Sequence, residues 1–209
     1  MSGSTPLKEK QDDGTYLYYN QGRLGLVNLD THGIDIRNYG SHISDVYTIE
    51  NGITFATVLA DHDNLSAPPP NFYVFDQGQL ITKFTHPDER FNPDRIIYQP
   101  SNELIYLMSG GGSTLEILRY ENEEVSYVGS VSIGHGNSFR KVAVDPASED
   151  IYVANFADNT VSIINGTNNI ATIDVGWYPF GLAVDSATGH LYVSNTNELT
   201  VSIFKVRPD

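Results

Sequence analysis

VAVDPASEDIYVANFADNTVSII, residues 142–164, is answered forty residues later by LAVDSATGHLYVSNTNELTVSIF, residues 182–204. Asp145 falls on Asp185, Tyr152 on Tyr192, Asn155 on Asn195 and Ser162 on Ser202. Within each copy, short runs alternate apolar and polar residues or stay β-branched, and Pro146, Asn165-Gly166, Gly176 and Gly189 break them. That is the pattern of strands joined by tight turns. A fixed period of about forty residues built from such strands signals β-units stacked or arranged about an axis.

Working outward, the first copy predicts strands at 142–145, 151–155, 160–164 and 170–175, and the second at 182–185, 191–195 and 200–204, with no fourth strand of its own. An earlier copy stands forty-six residues back, with Pro100 over Pro146, and predicts strands at 96–98, 105–109, 114–120 and 125–133. Residues 46–49, 54–59, 72–75 and 80–84 give a more divergent unit, and 14–20, 24–29 and 34–39 a first one whose innermost strand is missing. About five units and eighteen strands result, with no useful helical periodicity between them. Radial packing buries both faces of each small sheet and protects its edges. The expected fold is therefore all-β: a single β-propeller over residues 14–207, with five four-stranded blades. An incomplete larger ring is the rival. Residues 1–13 form an N-terminal segment that could pair onto the last unit and close the ring; otherwise another copy or another protein completes it.

The chain has 209 residues and a formal charge of −14, with no basic cluster to offset it. Such a surface repels a phosphate backbone, so no nucleic-acid partner is expected. There is no cysteine, which excludes disulfides and thiolate metal sites. The opening MSGSTPLKEKQDDG lacks the apolar run of a signal peptide, and no stretch is long and apolar enough to insert in a membrane.

The segments VAVDP, IYVANFADNTVSIING, IATIDVG and WYPFG, with LAVDSATGHLYVSN and LTVSIF, resemble the YVTN-type β-propeller repeat, a relative of the NHL repeat. Pro179, Gly181, Ala183, Asp185, Gly189, Tyr192, Val193 and Asn195 match that pattern. So do Ala143, Asp145, Pro146, Tyr152, Val153, Asn155, Asn159, Thr160, Val161 and Ser162. The match is clear over residues 140–204 and weak before them. The resemblance implies a propeller with a binding or surface role, on an extracellular surface or a particle, and related propellers include lactonase-like enzymes. Many members have seven blades where this chain reads as five.

Asp145 and Asp185, Asn155 and Asn195 (with Asn20), and Tyr152 and Tyr192 (with Tyr106 and Tyr18) recur at repeat positions and are expected to hold the scaffold. The six histidines form no zinc-type cluster, so no metal and no cofactor is expected. Asp63 and Asn64, in Asp61-His62-Asp63-Asn64, are the best local oxygen donors, though an exposed turn also explains them. Ser109-Gly110-Gly111-Gly112-Ser113 lacks the lysine of a phosphate loop and reads as a connection. Two stretches break the repeat: the insertion at 60–71, with Pro68-Pro69-Pro70, and Trp177-Tyr178-Pro179-Phe180. Loops between second and third strands share one face with the links between blades. Trp177, Tyr178, Phe180, His135 and Arg140, with Asp63 and Asn64, are therefore the expected binding residues.

The preferred reading is a non-catalytic interaction or structural module with a protein partner or self-association. The alternative is a lactonase-like hydrolase using a cation or water at the propeller axis, where Asp94, Asn137, Arg140 and His135 lie near inner-strand entrances. A second alternative is a glycan-binding propeller.

Overall fold

The computed structural model describes residues 7–10, 15–20, 23–28, 33–38, 42–59, 72–88, 91–109, 111–135 and 141–206. These form nineteen strands in five antiparallel sheets. The first sheet runs β1 (Leu7–Lys10), β2 (Thr15–Asn20), β3 (Arg23–Asn28) and β4 (Gly33–Asn38), and the second β5 (His42–Thr48), β6 (Ile53–Leu59), β7 (Phe72–Asp76) and β8 (Gln79–Phe84). The third comprises β9 (Arg95–Gln99), β10 (Leu104–Met108), β11 (Thr114–Glu121) and β12 (Glu124–Ser132). The fourth comprises β13 (Val142–Val144), β14 (Ile151–Asn155), β15 (Thr160–Asn165) and β16 (Asn168–Asp174), and the fifth β17 (Pro179–Asp185), β18 (His190–Asn195) and β19 (Thr200–Lys205). Each sheet is a meander in chain order, and the fold is all-β and propeller-like.

Two strands differ from the expectation. Leu7–Lys10, a candidate closing strand for the last unit, pairs instead with β2 (Leu7 opposite Tyr19, Lys10 opposite Tyr16) and supplies the first sheet's missing strand. β5 begins at His42 and not at residue 46, because the register slips between Ile43 and Asp45. That bulge breaks the two-residue period on which the sequence reading depends.

The chain divides into two compact units, Met1–Ile97 with Tyr120–Ser126, and Tyr98–Arg119 with Tyr127–Asp209. In the first, β5 lies against β2 and β3. Ile43, Val46, Ala56, Val58, Tyr73 and Phe75 form one buried face of the second sheet. On its other face Phe55 stacks on Phe72 at 5.5 Å and meets the Tyr120 ring edge-on at 5.9 Å.

In the second unit, β10 (LIYLM) and β14 (IYVAN) are buried along their whole length. A second strand packed on both faces cannot alternate with polar residues, which is why these runs are continuously apolar. β16 (NNIATID) is almost wholly exposed and correspondingly polar. The turn after each inner strand closes on a left-handed residue, Glu103, Glu149 and Gly189 with φ of 57°, 59° and 68°. Glu149 N donates to Asp145 O at 2.6 Å and Gly189 N to Asp185 O at 2.7 Å. Glycine takes this conformation without a Cβ penalty, and Glu149 is held in it by the turn's bond.

Candidate active site

In the first unit, the β5 bulge turns two adjacent polar residues toward the start of β9. Ser44 Oγ donates to the Pro93 carbonyl at 2.7 Å and lies 2.9 Å from Thr57 Oγ1. Asp45 Oδ2 accepts the Ile96 N–H at 2.8 Å. Burial pushes the Asp45 carboxyl above its ordinary value, opposed by the Ile96 bond and by the Arg95 charge. Arg95 Nε is buried and makes no hydrogen bond among the described residues. A carboxyl of raised pKa, a guanidinium with a spare buried donor and a fixed hydroxyl thus come together where β5 meets the start of β9. This combination can move a proton and hold a developing negative charge.

The raised value has a measurable consequence. Asp45 favours the protonated folded state, so its contribution to stability is complete below 3.8 and is lost as pH rises through its folded pKa. Carboxyl-carbon NMR should show Asp45 titrating above the exposed aspartates, and Arg95→Gln should raise its midpoint further.

Of the residues expected from sequence, Asp94 precedes Arg95 in the chain and is half-buried. Asp63, Asn64, Asn137 and Arg140, with the whole insertion at 60–71, fall outside the described residues. The cluster's central residue, Asp45, was not anticipated. It belongs to no repeat column, and the bulge placed it just before the predicted strand. Among the described residues no three His, Asp or Glu side chains come close enough to hold a metal ion.

The second unit carries the aromatic loop. Ala157 N donates to His135 O, Thr196 N to Tyr178 O and Asn197 N to Trp177 O. The links between sheets therefore do meet the loops between second and third strands. Tyr178, exposed and at φ 56°, stacks on Phe156 at 4.7 Å, and its N–H donates to Asn159 Oδ1. Trp177 is exposed, and Phe180 is half-buried with Lys141 Nζ 5.8 Å from its ring centroid. His135 is bound to Asp158 Oδ2 through both its N–H, at 2.6 Å, and Nδ1, at 3.1 Å.

The recurring residues bond as follows. Asn155 Nδ2 donates to Thr160 Oγ1 and Ser162 Oγ, and Asn195 Nδ2 to Thr200 Oγ1 and Ser202 Oγ, all at 2.8–3.0 Å. They clamp the second strand to the third within a sheet. Asp145 accepts Ala147 N at 2.9 Å and Ser186 Oγ at 2.6 Å. Asp185 accepts Thr188 Oγ1 and the Ala187 and Thr188 N–H groups, and the Thr188 hydroxyl above all holds its pKa below the ordinary value.

No family model and no curated protein matches the chain. Solved structures do. A functionally unknown protein from Desulfotomaculum acetoxidans is 16% identical, with TM-score 0.69 over 97% of this chain and 70% of its own. A virginiamycin B lyase from Staphylococcus aureus is 14% identical, with TM-score 0.65 over 96% and 69%. A 6-phosphogluconolactonase-type structure from Bacteroides fragilis is 14% identical, with TM-score 0.60 over 94% and 64%. The chain has a propeller-like fold. Identity this low carries the fold alone, and two earlier expectations are corrected. The YVTN-type assignment is a likeness of motif within residues 140–204, while the whole-chain likeness runs to structures that include a virginiamycin B lyase and the β-propeller domain of a Myceliophthora thermophila protein. The expectation that this fold speaks for a non-catalytic structural or protein-binding module is withdrawn, because enzymes, among them two lyases and a dehydrogenase, share the architecture over nearly the full chain.

Proposed function

We propose that the protein is a lactonase-like enzyme that opens a cyclic ester, with Asp45 as its acid–base group. The observation that carries this reading is the half-buried Asp45 carboxyl of raised pKa beside Arg95, where β5 meets the start of β9. Asp45 removes a proton from water as the water oxygen attacks the ester carbonyl, and Arg95 faces the oxyanion that forms. The ring C–O bond then breaks, Asp45 returns its proton to the leaving oxygen, and a hydroxy acid is released. Ser44, tied to Pro93, holds the bulge that aims Asp45. No metal is used in this scheme.

The test is acid release from a panel of lactones in isotopically labelled water. Turnover should place one label in the product carboxylate, and Asp45→Asn should lower the rate about 10²-fold with the circular dichroism spectrum unchanged. Ring opening without label would mean elimination, as a lyase performs it. An Asp45→Asn variant at full rate would remove Asp45 from the mechanism.

A further inference from the structure

The repeat supplies an internal control for what each sheet expects on its far side. In the fourth sheet, Ala143, Tyr152 and Ile163 lie side by side across β13, β14 and β15. The fifth sheet covers them: Tyr152, Val161 and Ile163 pack with Leu191 and Val193, flanked by Leu182, Val184 and Phe204. The same residues recur forty positions on as Ala183, Tyr192, Val201 and Ile203, again in register across β17, β18 and β19. There they are open: Tyr192 is 37% exposed, Val201 58% and Ile203 59%, whereas Tyr152 and Val161 are fully buried.

The polar column tells the same story independently. Gln99 Nε2 donates to the Glu149 carbonyl in the next sheet's turn, and buried Asp145 accepts the Ser186 hydroxyl of the sheet after that. Their successor Asp185 is half-exposed and bonds only within its own turn among the contacts described, to Ala187 and Thr188. Tyr106 likewise reaches forward to the Gly166 carbonyl. β19 also has a free outer edge among the described residues, where β15 has β16.

We infer that the outer face of the fifth sheet is a docking surface for one further β-unit of the same repeat. Its occupant presents an aliphatic face equivalent to Leu182, Leu191 and Val193, and a turn hydroxyl equivalent to Ser186 for Asp185. Isolated exposed apolar residues need no explanation, but a full interface set retained in register does.

The experiment extends the full chain in its own register. Residues 1–205 are followed by a second copy of residues 166–206, which supplies a fourth strand for the fifth sheet and three strands of a sixth. Tyrosine-directed labelling, read by mass spectrometry, should modify Tyr192 far faster than Tyr152 in the unextended chain and protect it in the extended one. The extended chain should melt several degrees higher. Ile203→Asp should abolish that gain while leaving the unextended chain's Tm almost unchanged. Protection of Tyr192 in the unextended chain overturns the inference. If independent of concentration, it means the chain's own remaining sheets cover the face; if dependent, a second copy does. An extended chain with Tyr192 still labelled and no rise in Tm overturns it equally.

Discussion

Tyr106→Ala is expected to destabilise the protein by about 3–5 kcal/mol, the cost of emptying a large buried ring site. Tyr106 is fully buried on β10, and its hydroxyl lies 2.6 Å from Gln99 Oε1 and 2.9 Å from the Gly166 carbonyl of the following sheet. Burial pushes the phenol up to about 12, so it remains a donor throughout the working pH range. Truncation leaves a cavity and takes the hydroxyl from the Gly166 carbonyl, while Gln99 Oε1 keeps the Asn102 amide as a donor. Tyr106→Phe keeps the ring and forfeits only the hydrogen bonding, for about 1–2 kcal/mol. Tyr192→Ala, at the equivalent but 37% exposed position, should cost less than about 1 kcal/mol. Urea midpoints at unchanged slope measure all three. Equal losses for Tyr106→Phe and Tyr106→Ala would show that ring packing contributes nothing.

Gly134→Val should cost about 3 kcal/mol, the upper range for overpacking a filled site. A Cβ at Gly134 would stand 2.6 Å from Asn155 Cγ and 2.7 Å from Asn155 Cβ. No rotation of the amide relieves a clash with its own Cβ, so the substitution must displace the residue that clamps Thr160 and Ser162. The check is a double-mutant cycle. Asn155→Ala alone should cost about 1–2 kcal/mol through its lost bonds, and in that background Gly134→Val should cost clearly less. Strict additivity would mean that the two residues do not meet. Gly176 stands over Asn195 in the same way, so the pairing of link glycine and strand-end asparagine belongs to the repeat.

The strand order was legible because the period is strong where packing is strong. LIYLM and IYVAN declare themselves as buried strands without any structure, and the turn chemistry around Asp145 and Asp185 marks their boundaries. Leu7–Lys10 was expected as a strand but given the wrong neighbour, because LKEK offers one apolar residue and no counterpart in other copies to fix its partner. The Asp45 cluster escaped for a different reason. Repeat logic finds what recurs, and a bulged strand hides the phase of the residues beside it. Ser44 and Asp45 lie fifty residues before Arg95 and are tied to its segment by the Ile96 and Pro93 backbone contacts. The aromatic loop was visible as an interruption, but its stack on Phe156 depends on a left-handed Tyr178 that sequence does not announce.

The forward direction of the links between sheets has a consequence for how the molecule comes apart. Gln99 leans on Glu149, Tyr106 on Gly166 and Asp145 on Ser186, so each sheet is braced by its successor. In an array with nearest-neighbour coupling, opening one member unbraces the one before it. Within the second unit, loss of the fifth sheet should therefore lower amide protection on β14 before it does so on β10.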